Sequence, residues 1–383
     1  MKVKSLFLDI IGTSQVTRRR KLAIKNASST PDGKDNISDT ARFLHPGKQL
    51  VRLVSVKEVS FNRKRLTFKS VDKPLPYFKP GQFMTLELTL SKACLTRPFL
   101  ISSSPEETKG DEGIIEIDLI RDDEDEFMMH LYHEAQVEDI FQAEIPLGQF
   151  FYEPLRDSSH IIAIANNRGI SSYLSMAKEI KNGHLDLSLT ILYLEEKIEP
   201  SLIEEIKNHH LEQVNIIPCS TKDYKDILKP FLQEDCSYFI SGEEEFVLPI
   251  KKELLSYQIK ERRIRLQITS LRKDITSLKD YPVDLINKEF TIQVHRGIRV
   301  DEIKAKASES LATALEKAGM KIHTVCRCGY CGVCRIKILE GDYYINPDND
   351  YRRIADKDFA YVHACITYPL SDMSIRMNIP DSF

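Results

Sequence analysis

Cys326-Arg-Cys-Gly-Tyr-Cys331-Gly-Val-Cys334 puts a crowd of thiols on one short loop, and Cys365 follows near the C-terminal end. Four residues separate Cys326 from Cys331, two separate Cys331 from Cys334, and thirty separate Cys334 from Cys365. That is the C-x₄-C-x₂-C…C spacing by which four thiolates hold a [2Fe-2S] cluster. Three ligands on one tight loop surround a cluster from one side, and a distant fourth closes the cage. Gly329 and Gly332 let the backbone turn and bring amide N–H groups near the inorganic sulfides. Structural zinc is the first alternative, but it usually takes two x₂ pairs a dozen or more residues apart. Disulfides are the second, and a crowded cysteine loop in a chain of intracellular character favours metal. Cys328 is an extra thiol inside the loop, expected to point away and not counted as a ligand.

The flanks of the loop read as alternating strand and helix. Phe290-Thr-Ile-Gln-Val alternates as a strand, and Ser310 is placed to cap a helix with apolar face Leu311, Ala314, Leu315 and Ala318, stopped by Gly319. Arg335-Ile-Lys-Ile-Leu-Glu-Gly-Asp342 is a strand leading into a turn. With His363-Ala-Cys365 approaching the last ligand, residues 289–383 resemble a plant-type ferredoxin domain of the kind fused to flavin reductases. Those residues carry 13 acidic and 13 basic side chains. Free ferredoxins of that resemblance are strongly acidic, so this domain is expected to exchange electrons with its own chain and one partner.

At 383 residues the chain has room for two to four domains, each with its own core. A net charge of −3 supplies no electrostatic reason to bind nucleic acid or membrane. No apolar run approaches the roughly 18 residues needed to cross a bilayer. Cys94, Cys219 and Cys236, away from the loop, are expected to be buried reduced thiols.

Residues 1–46 read as an N-terminal arm. The apolar piece Ser5-Leu-Phe-Leu-Asp-Ile-Ile11 is interrupted by Asp9 and makes a poor signal peptide; a transit peptide is the alternative. Thr17-Arg-Arg-Arg-Lys21 is either a solvated face or part of an arm that docks a partner or covers the next domain.

From 47 to 154 short strands with turn punctuation predict an antiparallel barrel. Lys79-Pro-Gly-Gln-Phe83, Arg97-Pro98-Phe99-Leu100-Ile101 and Ile145-Pro-Leu-Gly148-Gln149-Phe150 occur in that order. The series resembles the flavin domain of the ferredoxin–NADP⁺ reductase superfamily. There an Arg-Pro-Tyr-Ser element presents a guanidinium to the flavin phosphate and stacks an aromatic on the ring. The resemblance gives Arg97 and Phe99 those roles, with FAD as cofactor and FMN as the alternative. Leu100 stands where the family has a hydroxyl near the hydride-accepting nitrogen, and leucine donates no hydrogen bond. Asp122-Asp-Glu-Asp-Glu126 falls where the family faces the flavin phosphates, so these acids are expected on a solvated hairpin tip.

Residues 155–268 switch to strands alternating with helices. His160-Ile-Ile-Ala-Ile-Ala165 is the continuous apolar run of a buried parallel strand, and Leu187–Tyr193 and Tyr238–Gly242 follow. A doubly wound α/β domain results, resembling the NAD(P)-binding half of the same superfamily. The family's Gly-Gly-Ser/Thr-Gly turn is here Asn166-Asn167-Arg168-Gly169. Side chains at 166 and 167 take space that a pyrophosphate uses at the helix N-terminus, though Arg168 offers a phosphate contact. The family's later Cys-Gly-Pro is Ser241-Gly-Glu-Glu-Glu245, three acids that disfavour an anionic dinucleotide. His130 and His133 are spaced to share a helical face as a metal pair, yet nothing else in sequence converges on them; His209-His210 reads as a solvated turn.

Residues 269–288 read as a linker to the ferredoxin-like domain. The order is therefore a flavin-binding β-barrel, a Rossmann-like α/β domain and a β-grasp [2Fe-2S] domain, as in phthalate dioxygenase reductase-like proteins. The resemblance implies a cytoplasmic iron–sulfur flavoprotein oxidoreductase that moves electrons between a flavin and the cluster and serves a partner redox enzyme. Its cluster ligands are Cys326, Cys331, Cys334 and Cys365. Its flavin residues are Arg97 to Ile101 and Gly148 to Phe150, and Arg168 and Gly169 belong to the nucleotide turn. NAD(P)H as electron donor stays open. The alternative is a non-catalytic electron-transfer subunit that has lost nicotinamide binding.

Overall fold

The computed structural model describes residues 6–26, 40–41 and 47–377, apart from 72, 91–92, 111, 197–198 and 209–211. His209-His210 therefore lies outside the described residues. The chain forms two units, Met1–His45 and Pro46–Phe383. In the first, α1 (Leu6–Asn26) carries the Arg18–Lys21 run on an exposed helix surface.

The second unit begins with six strands: β1 (Lys48–Ser60), β2 (Arg63–Ser70), β3 (Phe83–Leu90), β4 (Ala93–Leu100), β5 (Ile114–Ile120) and β6 (Ile140–Leu147). They pair antiparallel in the order β4-β3-β6-β1-β2-β5, and the Ile101–Ile117 bridge joins the two ends into a barrel. Alternation along β5 buries Ile115, Ile117 and Leu119, which meet Leu66 and Phe68 of β2 and Met84 and Leu86 of β3. Phe68 meets Phe141 edge-on at 5.9 Å. Truncating a side chain at this centre, such as Leu66→Ala, is expected to cost roughly 3 kcal/mol through lost burial and a cavity.

The acidic run does not form a solvated tip. Asp125 caps α2 (Glu126–His133), its carboxylate accepting from the N–H groups of Phe127 at 2.9 Å and Met128 at 3.3 Å. Asp122 turns inward to Arg168 at 2.9 Å, while Asp123, Glu124 and Glu126 stay exposed. A helix N-terminus attracts a carboxylate, and that local demand outweighs the general preference of acids for water. His130 lies on α2 and pairs with Glu134 at 2.8 Å.

The next layer is a parallel sheet in the order β11-β10-β7-β8-β9. Its strands are β7 (His160–Ala165), β8 (Ser188–Leu194), β9 (Val214–Cys219), β10 (Cys236–Gly242) and β11 (Ile264–Ile268), flanked by α3 (Ser171–Lys181), α4 (Pro200–Asn208) and α5 (Glu244–Ser256). The chain winds out through β8 and β9 and then returns to the other side of β7. The crevice between the C-terminal ends of β7 and β10 is thus the topological switch point. The sequence pattern missed β9 and β11 because both are edge strands, one carrying Pro218 and the other Arg265 and Gln267.

The last sheet runs β13-β12-β18-β14-β16, with β12 (Glu289–Arg296) parallel to β18 (Met373–Met377) and the other neighbours antiparallel. β13 (Arg299–Lys306), β14 (Arg335–Glu340) and β16 (Tyr361–His363) complete it, and a short pair, β15 (Tyr343–Tyr344) and β17 (Tyr368–Pro369), stands apart. α6 (Leu311–Lys317), capped by Ser310, packs across it, giving a β-grasp. Residues 269–288 are more than a tether: Ile275 and Tyr281 are buried against Tyr344 and Tyr368.

Candidate functional site

The cysteine loop between α6 and β14 is built from left-handed backbone at Arg327 (φ 53), Gly329 (φ 81) and Gly332 (φ 72). A Cβ on Gly329 would sit 2.7 Å from the Ile366 side chain, and one on Gly332 would sit 3.1 Å from the ring of buried His363. His363 Nδ1 in turn lies 2.6 Å from the Gly329 carbonyl oxygen, locking the loop to the last ligand's turn. The Sγ atoms of Cys334 and Cys365 lie 3.4 Å apart, and the Cys331 N–H points at Cys326 Sγ at 3.3 Å. Cys326, Cys334 and Cys365 are buried and Cys331 is exposed. Convergent sulfur donors, glycines stripped of side chains and an amide directed at sulfur fit an iron–sulfur cluster. Cys328 is buried beside Cys326, on a cavity wall.

Two cavities of about 490 and 370 Å³ adjoin the loop. Pro98, Leu100 and Thr269 wall both, so together they form one cleft between barrel, α/β layer and cluster loop. The first is lined by Arg97, Phe99, Arg168, Lys273 and Cys365, the second by Phe83, Gly148, Gln149, Phe150 and Cys326. The size suits a flavin. The cleft also holds an unmet donor, since the buried Thr269 hydroxyl finds no hydrogen-bond partner among the described residues. Gly148 (φ 89) has no room for a side chain, a Cβ there falling 2.7 Å from the Phe83 ring. Phe99 turns into the barrel core against Phe127 at 6.0 Å, Phe150 packs on Phe239 at 5.1 Å, and Ile101 is buried away from both cavities.

Arg97 is already engaged by carboxylates. Its Nε meets Asp125 at 2.7 Å and its Nη1 meets Glu316 at 3.4 Å. The other oxygen of Glu316 pairs with Arg327 of the cysteine loop. Glu316, 2 % exposed, therefore joins the Arg97 guanidinium on the cleft wall to the Arg327 guanidinium of the cysteine loop. Sequence reading missed it and Thr269. Glu316 pairs with Arg97 across 219 positions, and no local periodicity reports such a contact.

The turn after β7 is filled by its own side chains. The Asn167 N–H donates to Glu195 at 2.6 Å, and its side-chain amide donates to Glu199 at 2.7 Å. Arg63, fully buried, reaches from the barrel to the Asn167 carbonyl at 2.5 Å and to Glu199 at 3.2 Å. Asn166 and Arg168 both bond Glu243 across the switch point, Arg168 at 3.0 Å. Gly169 is where β10 crowds the turn: a Cβ there would fall 1.9 Å from the Ser241 carbonyl oxygen. Of the three acids after Ser241-Gly, only Glu243 faces this turn. Glu244 is buried and accepts from Asn346 at 2.6 Å, and Glu245 pairs with Arg272 at 3.5 Å.

Burial pushes the Glu195 carboxyl above its usual range, and Glu243 and Glu199 add to the effect. Asp118, fully buried below the start of α3, behaves oppositely. Burial opposes its charge, yet Arg65 and Arg63 outweigh that and hold it below the usual carboxylate range.

Residues 298–370 match the family model described as the 2Fe-2S iron-sulfur cluster binding domain. The chain superposes on phthalate dioxygenase reductase with a TM-score of 0.64 at 16% identity, covering 87% of this chain and 98% of that one. It is 20% identical to a glycine betaine monooxygenase reductase subunit of Chromohalobacter salexigens, over 86% of this chain and 95% of the relative. It is 22% identical to the Pseudomonas aeruginosa protein of the same description, over 88% and 99%. Among the described residues, no helix is long and apolar enough to cross a membrane.

Proposed function

We infer the electron path of this chain from the premise that it is an iron–sulfur flavoprotein reductase with the phthalate dioxygenase reductase fold and a C-terminal [2Fe-2S]-binding domain. Residues 47–154 bind the flavin, 155–268 form the nucleotide-binding-like layer, and 289–383 hold the cluster through Cys326, Cys331, Cys334 and Cys365. Arg97 to Leu100 and Gly148 to Phe150 line the flavin's seat, joined by Thr269, and Ile101 lies behind them in the barrel core. A flavin bound there exchanges electrons in pairs or singly, and a cluster passes them singly. One observation carries this reading: Cys365 and Cys326 wall the same cleft as Leu100 and Pro98.

The exposed rim Tyr330, Cys331 and Val333 is where an acceptor protein approaches the cluster. The likeness to two reductase subunits of a monooxygenase supports an oxygenase component as that acceptor. Substrate choice then belongs to the oxygenase. A cytoplasmic, reducing setting suits eight cysteines that are all unpaired.

NAD(P)H is the donor in the first reading. A second is favoured by the carboxylates Glu195, Glu199 and Glu243, which already occupy the donors of the turn. In that reading electrons enter from a protein partner. Anaerobic titration of the purified holoprotein with NADH and then NADPH separates them. Bleaching of flavin and cluster by stoichiometric nucleotide supports the first. No bleaching, with ready reduction by dithionite, supports the second. A purified chain that holds iron but no flavin would overturn both.

A further inference from the structure

The opposite end of the parallel sheet carries a second convergence of donors. His160 opens β7 and Cys236 opens β10, and the two are Cα partners in the parallel register. Glu234 precedes Cys236 by two residues. His160 Nδ1 lies 3.4 Å from Cys236 Sγ and 3.2 Å from Glu234 Oε2, and Sγ lies 3.6 Å from that same oxygen. Among the described residues, these are the three His, Cys and carboxylate donors whose ligand atoms all lie within 4.8 Å of one another.

Tetrahedral zinc fixes the size of such a triangle. Bond lengths of about 2.3 Å to thiolate, 2.05 Å to imidazole and 2.0 Å to carboxylate set donor separations of roughly 3.5 Å (S···N), 3.3 Å (N···O) and 3.5 Å (S···O). Each observed side lies within about 0.2 Å of these separations, so the three donors could close on a cation with little movement.

The surroundings match as well. Thr190 Oγ1 of the neighbouring strand lies 3.2 Å from His160 Nε2. In the tautomer that donates this bond, Nδ1 turns its lone pair to the thiol and carboxylate, the outer-shell arrangement that orients metal-binding imidazoles. Phe231 packs edge-on against the ring at 5.9 Å and fixes its plane. Cys236 is buried while the Glu234 side chain is 48% exposed, which gives a cation an entry path and leaves a fourth position to water.

We propose that His160, Glu234 and Cys236 bind a divalent cation of the zinc class. The site lies at the N-terminal ends of β7 and β10, about 17 Å of strand from the turn after β7. It is thus remote from the flavin cleft, and the cation clamps together the two strands that flank the switch point.

The test uses holoprotein with its cluster intact, so that the loop thiols are occupied. Zinc is titrated against a chromophoric chelator, and bound zinc and iron are measured by mass spectrometry. A single zinc per chain, beyond the iron, is expected. Glu234→Gln and Cys236→Ser should each lose it. Thr190→Val, which removes no ligand, should weaken binding about 10- to 100-fold. Cys219→Ser, a buried thiol on β9, should leave it unchanged. Should Cys236→Ser fail to fold, Glu234→Gln decides, since that side chain is largely exposed. No zinc beyond the iron would overturn the site, and so would undiminished binding by Glu234→Gln.

Discussion

The cysteine loop and the turn after β7 are both tight, glycine-containing backbones, and they are filled in opposite ways. In the loop, Gly329 and Gly332 leave room for Ile366 and His363 to pack against the backbone, and a backbone amide points at sulfur. In the turn, Asn166, Asn167 and Arg168 answer Glu195, Glu199 and Glu243, so the polar groups satisfy one another. A loop whose amide faces sulfur donors is poised to hold a ligand. One whose partners are already supplied must give some of them up first, and each buried group left unmet costs about 1–3 kcal/mol.

The largest effect that would break this contrast is at the loop. Cys331→Ser should abolish the cluster's visible absorption while flavin stays bound; a full [2Fe-2S] spectrum in that variant would refute the ligand set. Next comes the joint between loop and cleft. Glu316→Ala leaves Arg97 and Arg327 without their shared, 2 % exposed carboxylate. Losing one partner of a buried pair costs about 3 kcal/mol. Chemical denaturation should show that loss, and a change under about 0.5 kcal/mol would mean that water replaces the carboxylate.

A smaller effect sharpens the other side. Glu195→Gln with Glu243→Gln removes two charges from the turn, and NADH should bind more tightly by about 1 kcal/mol, roughly fivefold in Kd. Quenching of NADH fluorescence measures this, and unchanged or weaker binding would show that these acids do not limit the site. The smallest effect is in pH dependence. The Glu195 carboxyl is raised above 4.5, so the folded chain holds its proton more tightly than the unfolded chain. Its contribution is present below 4.5 and is lost as pH rises through the raised value. Glu195→Gln should flatten the stability–pH curve over that range by a few tenths of a kcal/mol, and an unaltered slope would place the titration elsewhere.

Much of this was legible in the chain because the signals were local. Cysteine spacing pointed to the cluster loop, and the apolar run His160–Ala165 marked the central strand to the residue. Other features had no local signature. Val214–Cys219 and Ile264–Ile268 are edge strands that look like loops. Asp122 and Asp125 sit in an acidic run that reads as solvated, yet one pairs with Arg168 and the other caps a helix. Segment 269–288, charged and punctuated by Pro282, places Thr269 on the wall of the cleft beside the cysteine loop.

Periodicity, turn residues and thiol spacing carried by themselves the three folded layers, their order and a cysteine loop with the spacing of a cluster site, because each depends on residues near one another in the chain. Tertiary structure alone decided that Glu316 ties Arg97 to Arg327, that three carboxylates crowd the turn after β7, and that His160 meets Cys236 and Glu234. Those contacts join charges and donors tens to hundreds of positions apart. Their strength comes from burial, which a sequence pattern does not carry and which only the packed layers create.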